Sequence, residues 1–512
     1  MIKDVILQLV DKKEFFINLL LEHLEISIIS ITIATVIGLI IGVLISEYEK
    51  SSKLVLGIIN FVYTIPSISL LGFLIPLSGI GNTTAIIALT VYALLPMVRN
   101  THTGITNIDN RVLEAAKGMG STNFQILYKI KLPLAMPVIM TGLRSMATMT
   151  IALAGIASFI GAGGLGVAIY RGITTNNAAL TIAGSLLIAI LAIVVDLILS
   201  LLTKLSKKNI RKNKKLKWIA LGLIVVIVIS LVGKVLTRKG DNETINIATK
   251  PMTEQYIIGA MLKLVIEDKT DLNVNIIQGV GGGTSNIMPG MENKEFDMYP
   301  EYTSTGWNMV LKHDGVYDES MYEELKKEYL EKYNFVWTGN FGFNDSYGLA
   351  VKKDIAKKYN LKTYSDLAKV SDKLIFGAEY DFYERPDGYN SFAETYGFNF
   401  KSTVDLDIGL KYSAINEGKV DVMNIFTTDG QLSVSDVVVL EDDKQFFSSA
   451  MAVMVVRSEI LDNYPELDKV LNSLEGILDD KTMADLNYQV ETDGKSPEDV
   501  AEKFILDKGI IK

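Results

Sequence analysis

The 512-residue chain contains no cysteine, which excludes disulfides, thiolate metal sites, cysteine nucleophiles and a lipid-modified cysteine anchor. Only three histidines occur, His23, His102 and His313, and they are scattered, so no metal centre is expected. A phosphate-binding loop of the form Gly-x-x-x-x-Gly-Lys-Ser/Thr is absent; Gly279-Val-Gly-Gly-Gly-Thr284 has the glycines and lacks the lysine. The chain is therefore not expected to hydrolyse ATP or to carry a cofactor of its own. No nucleophile–base arrangement is visible, which makes a membrane enzyme the weakest reading. The N-terminus lacks the basic start, short apolar core and small-residue exit of a cleavable leader, so its first apolar run is expected to stay in a membrane.

What is present divides sharply in two. Residues 1–240 hold 23 Lys and Arg against 10 Asp and Glu, a net +13. Residues 241–512 hold 27 against 49, a net −22, and together they give the overall −9. A basic apolar half and an acidic polar half call for two environments. The acidic half offers no basic face for phosphates, so nucleic acid is not an expected partner.

A membrane-spanning helix needs about 20 mainly apolar residues. Five candidate spans occupy about 24–46, 54–78, 83–98, 134–160 and 180–203, and a sixth covers Trp218–Leu236. Lys204, Lys207, Lys208, Arg211, Lys212, Lys214, Lys215 and Lys217 crowd one short loop, which the charge rule places in the cytoplasm. Counting spans puts the basic stretch Arg99–Lys131 on the same side and everything after Leu236 outside. The basic run is a stop-transfer flank, with contact to anionic membrane lipid as an added expectation. Asp196 lies inside the fifth span, where a charge is costly; structural pairing is favoured over a transport role.

The polar gap between the third and fourth spans reads Glu114-Ala-Ala-Lys-Gly-Met-Gly120 and then, nine residues on, Ile130-Lys-Leu-Pro133. It resembles the EAA loop of ABC importer permeases, matched by Glu114, Ala115, Ala116, Gly120, Ile130, Leu132 and Pro133. The resemblance implies that 107–133 forms a short cytoplasmic helix, a turn and a second helix that dock on a separate ATP-binding subunit. It also implies an all-α transmembrane permease over 1–205 that pairs as a homodimer. Residues 206–240 are then a basic linker and the sixth span.

After residue 240 the pattern changes. Thr244–Ala248, Val274–Ile277, Gly348–Val351, Val420–Ile425 and Val437–Leu440 read as strands; Gln255–Asp268, Met321–Lys332 and Lys353–Tyr359 read as helices. Such alternation implies α/β layers with a mainly parallel sheet. Six short stretches resemble, in order, the extracytoplasmic binding proteins for quaternary amines. They are Lys250-Pro-Met-Thr-Glu-Gln255, Asp297-Met-Tyr-Pro-Glu-Tyr-Thr-Ser-Thr305, Asn344-Asp-Ser-Tyr347, Arg385-Pro-Asp-Gly388, Phe426-Thr-Thr-Asp429 and Leu440-Glu-Asp-Asp-Lys444. The resemblance implies a two-lobed, type II periplasmic-binding-protein-like domain over 241–512, with lobes of about 241–340 plus 443–512 and 341–442. It gives Tyr347 and Phe426 as aromatic walls, Tyr302 as a further cleft residue, and Gln255 and Thr305 as partners of the ligand's polar end. Arg385 either meets a carboxylate or pairs with Asp387. Trp307 and Tyr322 are weaker aromatic candidates.

The chemistry suits such a ligand. A trimethylammonium has no N–H to donate, so aromatic faces select it, each contact contributing about 0.5–2 kcal/mol. Relatives often have tyrosine where Phe426 stands, and an aromatic wall where this chain has Ser448-Ser-Ala450, which leaves room for a bulkier ligand. The whole resembles a permease fused to its binding protein in the bacterial plasma membrane, with the C-terminal half extracellular. The expected cargo is a betaine-type osmolyte such as glycine betaine, carnitine or choline. Ergothioneine or a polar amino acid is the alternative, and a ligand sensor without transport is a further one.

Overall fold

The computed structural model describes residues 2–175, 177–208, 244–385, 388–447 and 449–511. The sixth span, the basic residues beyond Lys208, Asp387 and Ser448 lie outside the described residues. The chain forms two compact units, residues 1–169 with 182–241 and residues 170–181 with 242–512.

In the first unit, four described helices are long and apolar enough to cross a membrane: Lys13–Glu47, Asn82–Thr106, Asn123–Ala154 and Ala178–Leu201. A further apolar pair, Ser51–Thr64 and Ser67–Ser78, is bent by 98°. The candidate span at about 54–78 falls on this pair, so it is not one continuous helix. Pro66 has no N–H to donate, and its ring drives Ile65 into extended backbone at φ −65°, ψ 129°, so the helix stops before it and restarts after it. The span that reads as short at 83–98 instead continues to Thr106.

Packing in this unit relies on small residues. Gly38 and Gly42, four apart on the first long helix, face the Asn82–Thr106 helix. A Cβ on Gly42 would lie 2.5 Å from Thr101 Cβ, and one on Gly38 2.7 Å from Met97 Cγ. Glycine therefore permits the close approach from which helices in lipid gain their packing energy. The charge of Asp196 is met by Arg144, whose Nε and Nη2 donate to the two carboxylate oxygens at 2.8 and 2.7 Å. This two-pronged pair explains how both charges are tolerated in an apolar span.

In the second unit two five-stranded sheets follow one plan. The first contains β1 (Thr244–Ala248), β2 (Asn273–Ile277), β3 (Met298–Tyr302), β4 (Phe335–Asn344) and β10 (Met451–Arg457), in the order β2-β1-β3-β10-β4. The second contains β5 (Tyr347–Lys352), β6 (Ile375–Glu379), β7 (Ser402–Leu406), β8 (Val422–Phe426) and β9 (Val437–Val439), in the order β7-β6-β8-β5-β9. Each sheet is mainly parallel, as expected, with one strand reversed. β1 pairs parallel with β2 and β3, and β6 parallel with β7 and β8, but β10 and β5 are antiparallel to both their neighbours. The cause is the chain path: β4 runs out to the other lobe and β10 returns from it, while β5 enters and β9 leaves. Each returning strand must oppose the rest.

Alternate strand residues and the facing helices fill two separate cores. Ile257, Met261 and Val265 of helix Thr253–Lys269 pack against the first sheet, and Phe376, Phe382 and Phe392 dominate the second. The strands other than β10 and β5 deliver their carboxyl ends to the crossovers, where open α/β sheets place ligands.

Removing one half of the membrane pair should expose the other. Asp196→Asn leaves Arg144 without its ion partner and should lower the melting temperature. Arg144→Met with Asp196→Leu should recover most of the loss, since neither charge then remains. Thermal melting of the full chain in nanodiscs measures this; equal melting of the single variant and the wild type would deny the pair a structural role.

Candidate functional site

Lys250 follows β1, and its side chain is buried against the end of β3. It forms an ion pair with Glu301 and lies 4.6 Å from the centroid of the Tyr302 ring. Glu301 is fully buried and also accepts from Thr284 Oγ1 at 2.7 Å and from the Tyr302 N–H at 2.7 Å. Gln255 Nε2 donates to the Tyr302 hydroxyl at 3.1 Å, and Gln255 Oε1 accepts from the Lys250 N–H at 3.3 Å. The Tyr302 hydroxyl in turn donates to Glu254. Tyr302 and Gln255 are thus joined to one another and to the first lobe's interior.

The second lobe supplies the aromatic wall. Tyr347 opens β5 and Phe426 closes β8, and the antiparallel register sets them directly opposite. Their ring centroids are 5.0 Å apart, and Phe382 and Phe447 approach Tyr347 at 5.1 and 5.9 Å. The Arg385 guanidinium lies 5.6 Å from the Tyr347 ring, and its Nη1 donates to Thr305 Oγ1 of the first lobe at 3.2 Å. Lys411, almost fully buried, places its ammonium 4.2 Å from the Phe426 centroid and 2.9 Å from Asp429 Oδ2. Tyr347, Phe426, Arg385 and Thr305 therefore meet, while Gln255 and Tyr302 form a second group around Glu254.

Between the groups, buried carboxylates converge. Thr428 Oγ1 lies 2.6 Å from Glu254 Oε2 of the first lobe and 2.8 Å from Asp345 Oδ1 at the crossover. A hydroxyl has one proton to donate, so one of these carboxyls must itself be protonated and donate to Thr428. Burial raises both acids above the usual carboxylate range, and for Asp345 the Glu254 charge adds to it. A cavity of ≈30 Å³ beside them is lined by Glu254, Asp345, Lys411, Asp429 and Glu491 among others. Burial, then the Asp429 charge, pushes Glu491 up to about 8.

The loop at 107–133 is a second candidate surface. Asp109 caps helix Asn110–Gly118 by accepting from the Arg111 N–H at 2.9 Å. Gly120 ends it with φ +80°, which lets its own N–H reach Lys117 O and the Ser121 N–H reach Ala116 O. Thr122 and Gln125 then cap each other's backbone to start the next helix. Around Leu127–Lys131 the helix widens to π geometry, just before Pro133, which has no N–H to return to the preceding turn. Ala116 is buried, Ile130 and Leu132 are half-buried, and Glu114, Ala115, Gly120 and Pro133 are exposed. Met119, Phe124 and Tyr128 are large and exposed, with the last two rings stacked at 6.5 Å.

Several other sequence candidates sit elsewhere. Trp307 stacks on His313 at 4.0 Å, and Tyr322 packs edge-on to Trp337 at 6.4 Å, both inside the first lobe. Ser449 donates to Glu319, and Ala450 is buried in the first lobe's core. Lys411, Glu379 and Asn424 were missed, because a buried lysine or an amide in a strand has no sequence mark that separates it from an exposed one. Phe382 and Phe447 lay hidden among 19 phenylalanines.

The high placing of Glu491 has a pH consequence. It keeps in the fold, to about 8, a proton that the unfolded chain releases near 4.3. Folding takes up a proton between those values, so stability should fall as pH rises from about 5 to 8. Thermal melting of the full chain, followed by Trp307 and Trp337 fluorescence, should show the fall, and Glu491→Gln should shallow it. A slope identical in the variant would place the linkage elsewhere.

Residues 243–507 match the family described as the substrate binding domain of the ABC-type glycine betaine transport system. Residues 34–212 match the binding-protein-dependent transport system inner membrane component. The chain is 38% identical over 483 residues, 93% of its length and 87% of the other, to an ergothioneine transport permease/ergothioneine binding protein of Helicobacter pylori (strain G27). It is 33% identical over 298 residues to a carnitine transport binding protein of Listeria monocytogenes, covering 57% of this chain and 96% of that one. A crystal structure described as a glycine betaine/carnitine/choline ABC transporter is 33% identical, with 52% of this chain and 100% of that chain covered and a TM-score of 0.45. A permease and a substrate-binding domain on one polypeptide place the chain in the family of ABC importers for betaines, carnitine, choline and ergothioneine.

Proposed function

We propose that the chain imports a betaine-type zwitterion, with ergothioneine ahead of the compact osmolytes. The observation that carries this is the Tyr347–Phe426 pair with Arg385 lying against Tyr347: an aromatic surface for a quaternary ammonium beside a guanidinium for a carboxylate. Ergothioneine is favoured because the relative of that name is similar along almost the whole fused chain. Glycine betaine, carnitine or choline is the second reading, favoured by the similarity of the binding half to the carnitine binding protein. Calorimetry of the full chain in nanodiscs against these four compounds tests it. Absence of binding by all four would reject it and reopen the polar amino-acid and sensor alternatives.

The permease family acts with an ATPase subunit. On this reading that subunit binds and hydrolyses the ATP, and it docks at Glu114–Pro133. Two copies of the chain pair through their permease units, and the binding unit faces the outside of the cell. The basic run at 204–217 rests against anionic lipid. The support is the loop-charge pattern, the exposed rings beside Gly120 and the family's architecture. Protease added to intact protoplasts should then release the C-terminal half; full protection would invert the orientation.

The turn at Gly120 should be required for coupling. A Cβ there would meet nothing within 4 Å, so the constraint is its positive φ and not space. Gly120→Asn, which tolerates this conformation, should keep uptake. Gly120→Val should lose most uptake and ligand-stimulated ATPase activity while retaining ligand binding, and wild-type uptake by Gly120→Val would exclude the role.

For the ligand cation, Tyr347→Leu should weaken binding by about tenfold to hundredfold, or 1–3 kcal/mol, by removing the ring. Tyr347→Phe should cost much less, because the face survives. Equal affinities for the two variants in calorimetry would make Tyr347 a core residue only.

A further inference from the structure

Phe426 already has two close neighbours, the Tyr347 ring at 5.0 Å and the Lys411 ammonium at 4.2 Å. Lys411 is 2% exposed, so water does not solvate this charge. Its ion partner is Asp429, yet none of its N–H groups has an aligned acceptor. The reason is crowding, since Asp429 Oδ2 already accepts from the Tyr412 hydroxyl at 2.8 Å and from the Phe426 N–H at 3.0 Å. At the carboxyl end of β6, buried Glu379 has no well-aligned hydrogen-bond partner; the Asn424 side chain on β8 and the Glu379 N–H lie beside it, and burial raises its carboxyl above the usual carboxylate range. The charge of Lys411 acts on Glu379, so the two groups lie within electrostatic reach.

A buried cation on an aromatic face, held by a poorly aligned partner, has a second buried acid, Glu379, within electrostatic reach. We propose that Lys411 is a built-in competitor for the cation position on Phe426, and that an incoming quaternary ammonium takes this position by moving the Lys411 ammonium onto Glu379. The inference rests on the reading above that Phe426 receives a ligand cation, and it adds a specificity-determining residue. Two cations cannot share the ring without mutual repulsion, which is little screened in a buried site. A ligand with a carboxylate regains part of that repulsion through Arg385 and through Lys411 itself. A ligand bearing only the cation regains none. Lys411 therefore selects zwitterions over simple quaternary amines.

The test uses the full chain in nanodiscs with choline, glycine betaine, ergothioneine and 3,3-dimethylbutanol, the uncharged carbon isostere of choline. Lys411→Met should tighten choline binding by about tenfold or more, tighten both zwitterions less, and leave the isostere within about twofold. Lys411→Arg, which keeps the charge, should give no gain. Glu379→Gln should weaken the zwitterions in wild type and have little effect in Lys411→Met. Lys411→Gln is read in place of Lys411→Met if the latter does not fold. Unchanged or weaker choline binding in the folded neutral variant, or an equal gain for the isostere, overturns the proposal. Phe426→Leu separates the two levels. If it weakens glycine betaine or ergothioneine while neutral Lys411 variants change nothing, the competitor falls and the proposed function stands. If no quaternary probe binds the wild type, or Phe426→Leu leaves binding intact, both fall.

Discussion

Buried charge is the constraint around which the α/β unit is built. Each lobe sinks one lysine at the cleft and gives it a carboxylate and a ring: Lys250 with Glu301 and Tyr302, Lys411 with Asp429 and Phe426. Removing an ion from water costs several kcal/mol, which is offset only if its partners are held in place beforehand. The sheets do the holding. Glu301 and Tyr302 end β3 and Phe426 ends β8, so three of the six groups are fixed by strand termini, and a fourth, Asp429, lies three residues beyond β8.

Carboxylates outnumber lysines at this centre, and the excess is handled with protons. Glu254, Asp345 and Glu491 are all raised by burial, and the single proton of Thr428 cannot serve both acids it touches. Because Glu254 belongs to the first lobe and Thr428 to the second, their hydrogen bond also ties the lobes together. Further ties run from Arg385 to Thr305, a charge-assisted bond, and from Asn487 Nδ2 to the Thr428 carbonyl at 2.8 Å.

Much of this was legible in the sequence, for identifiable reasons. Spans and their order follow from hydropathy, and the EAA-like stretch and the cleft motifs are contiguous strings, so Gly120, Tyr347 and Phe426 are visible without coordinates. Strand β10, in contrast, was not anticipated, because Met451–Arg457 is apolar throughout and shows no alternation. The reversed strands were missed because antiparallel pairing of β10 and β5 depends on a chain path that periodicity does not encode. The break at Pro66 was available from Ile65-Pro66 but hidden inside a continuous apolar run. Lys411 and Glu379 were invisible since burial arises from tertiary packing, and neither residue type signals it.

The contact between Tyr347 and Phe426 limits what the rings alone can contribute. An aromatic pair is worth about 0.5–1.5 kcal/mol beyond its buried area, and a cation–π contact about 0.5–2 kcal/mol. On the reading proposed above, a cation seated on these rings gains about that much from each face, less the cost of moving Lys411 from Phe426. Micromolar affinity needs roughly 8 kcal/mol. The balance has to come from groups that do not already face each other, chiefly a ligand carboxylate on Arg385 and the burial of the ligand as the lobes meet. On the proposed reading, the aromatic rings of this cleft filter the shape and charge of the cation, and the polar end of the ligand, with lobe closure, supplies most of the affinity.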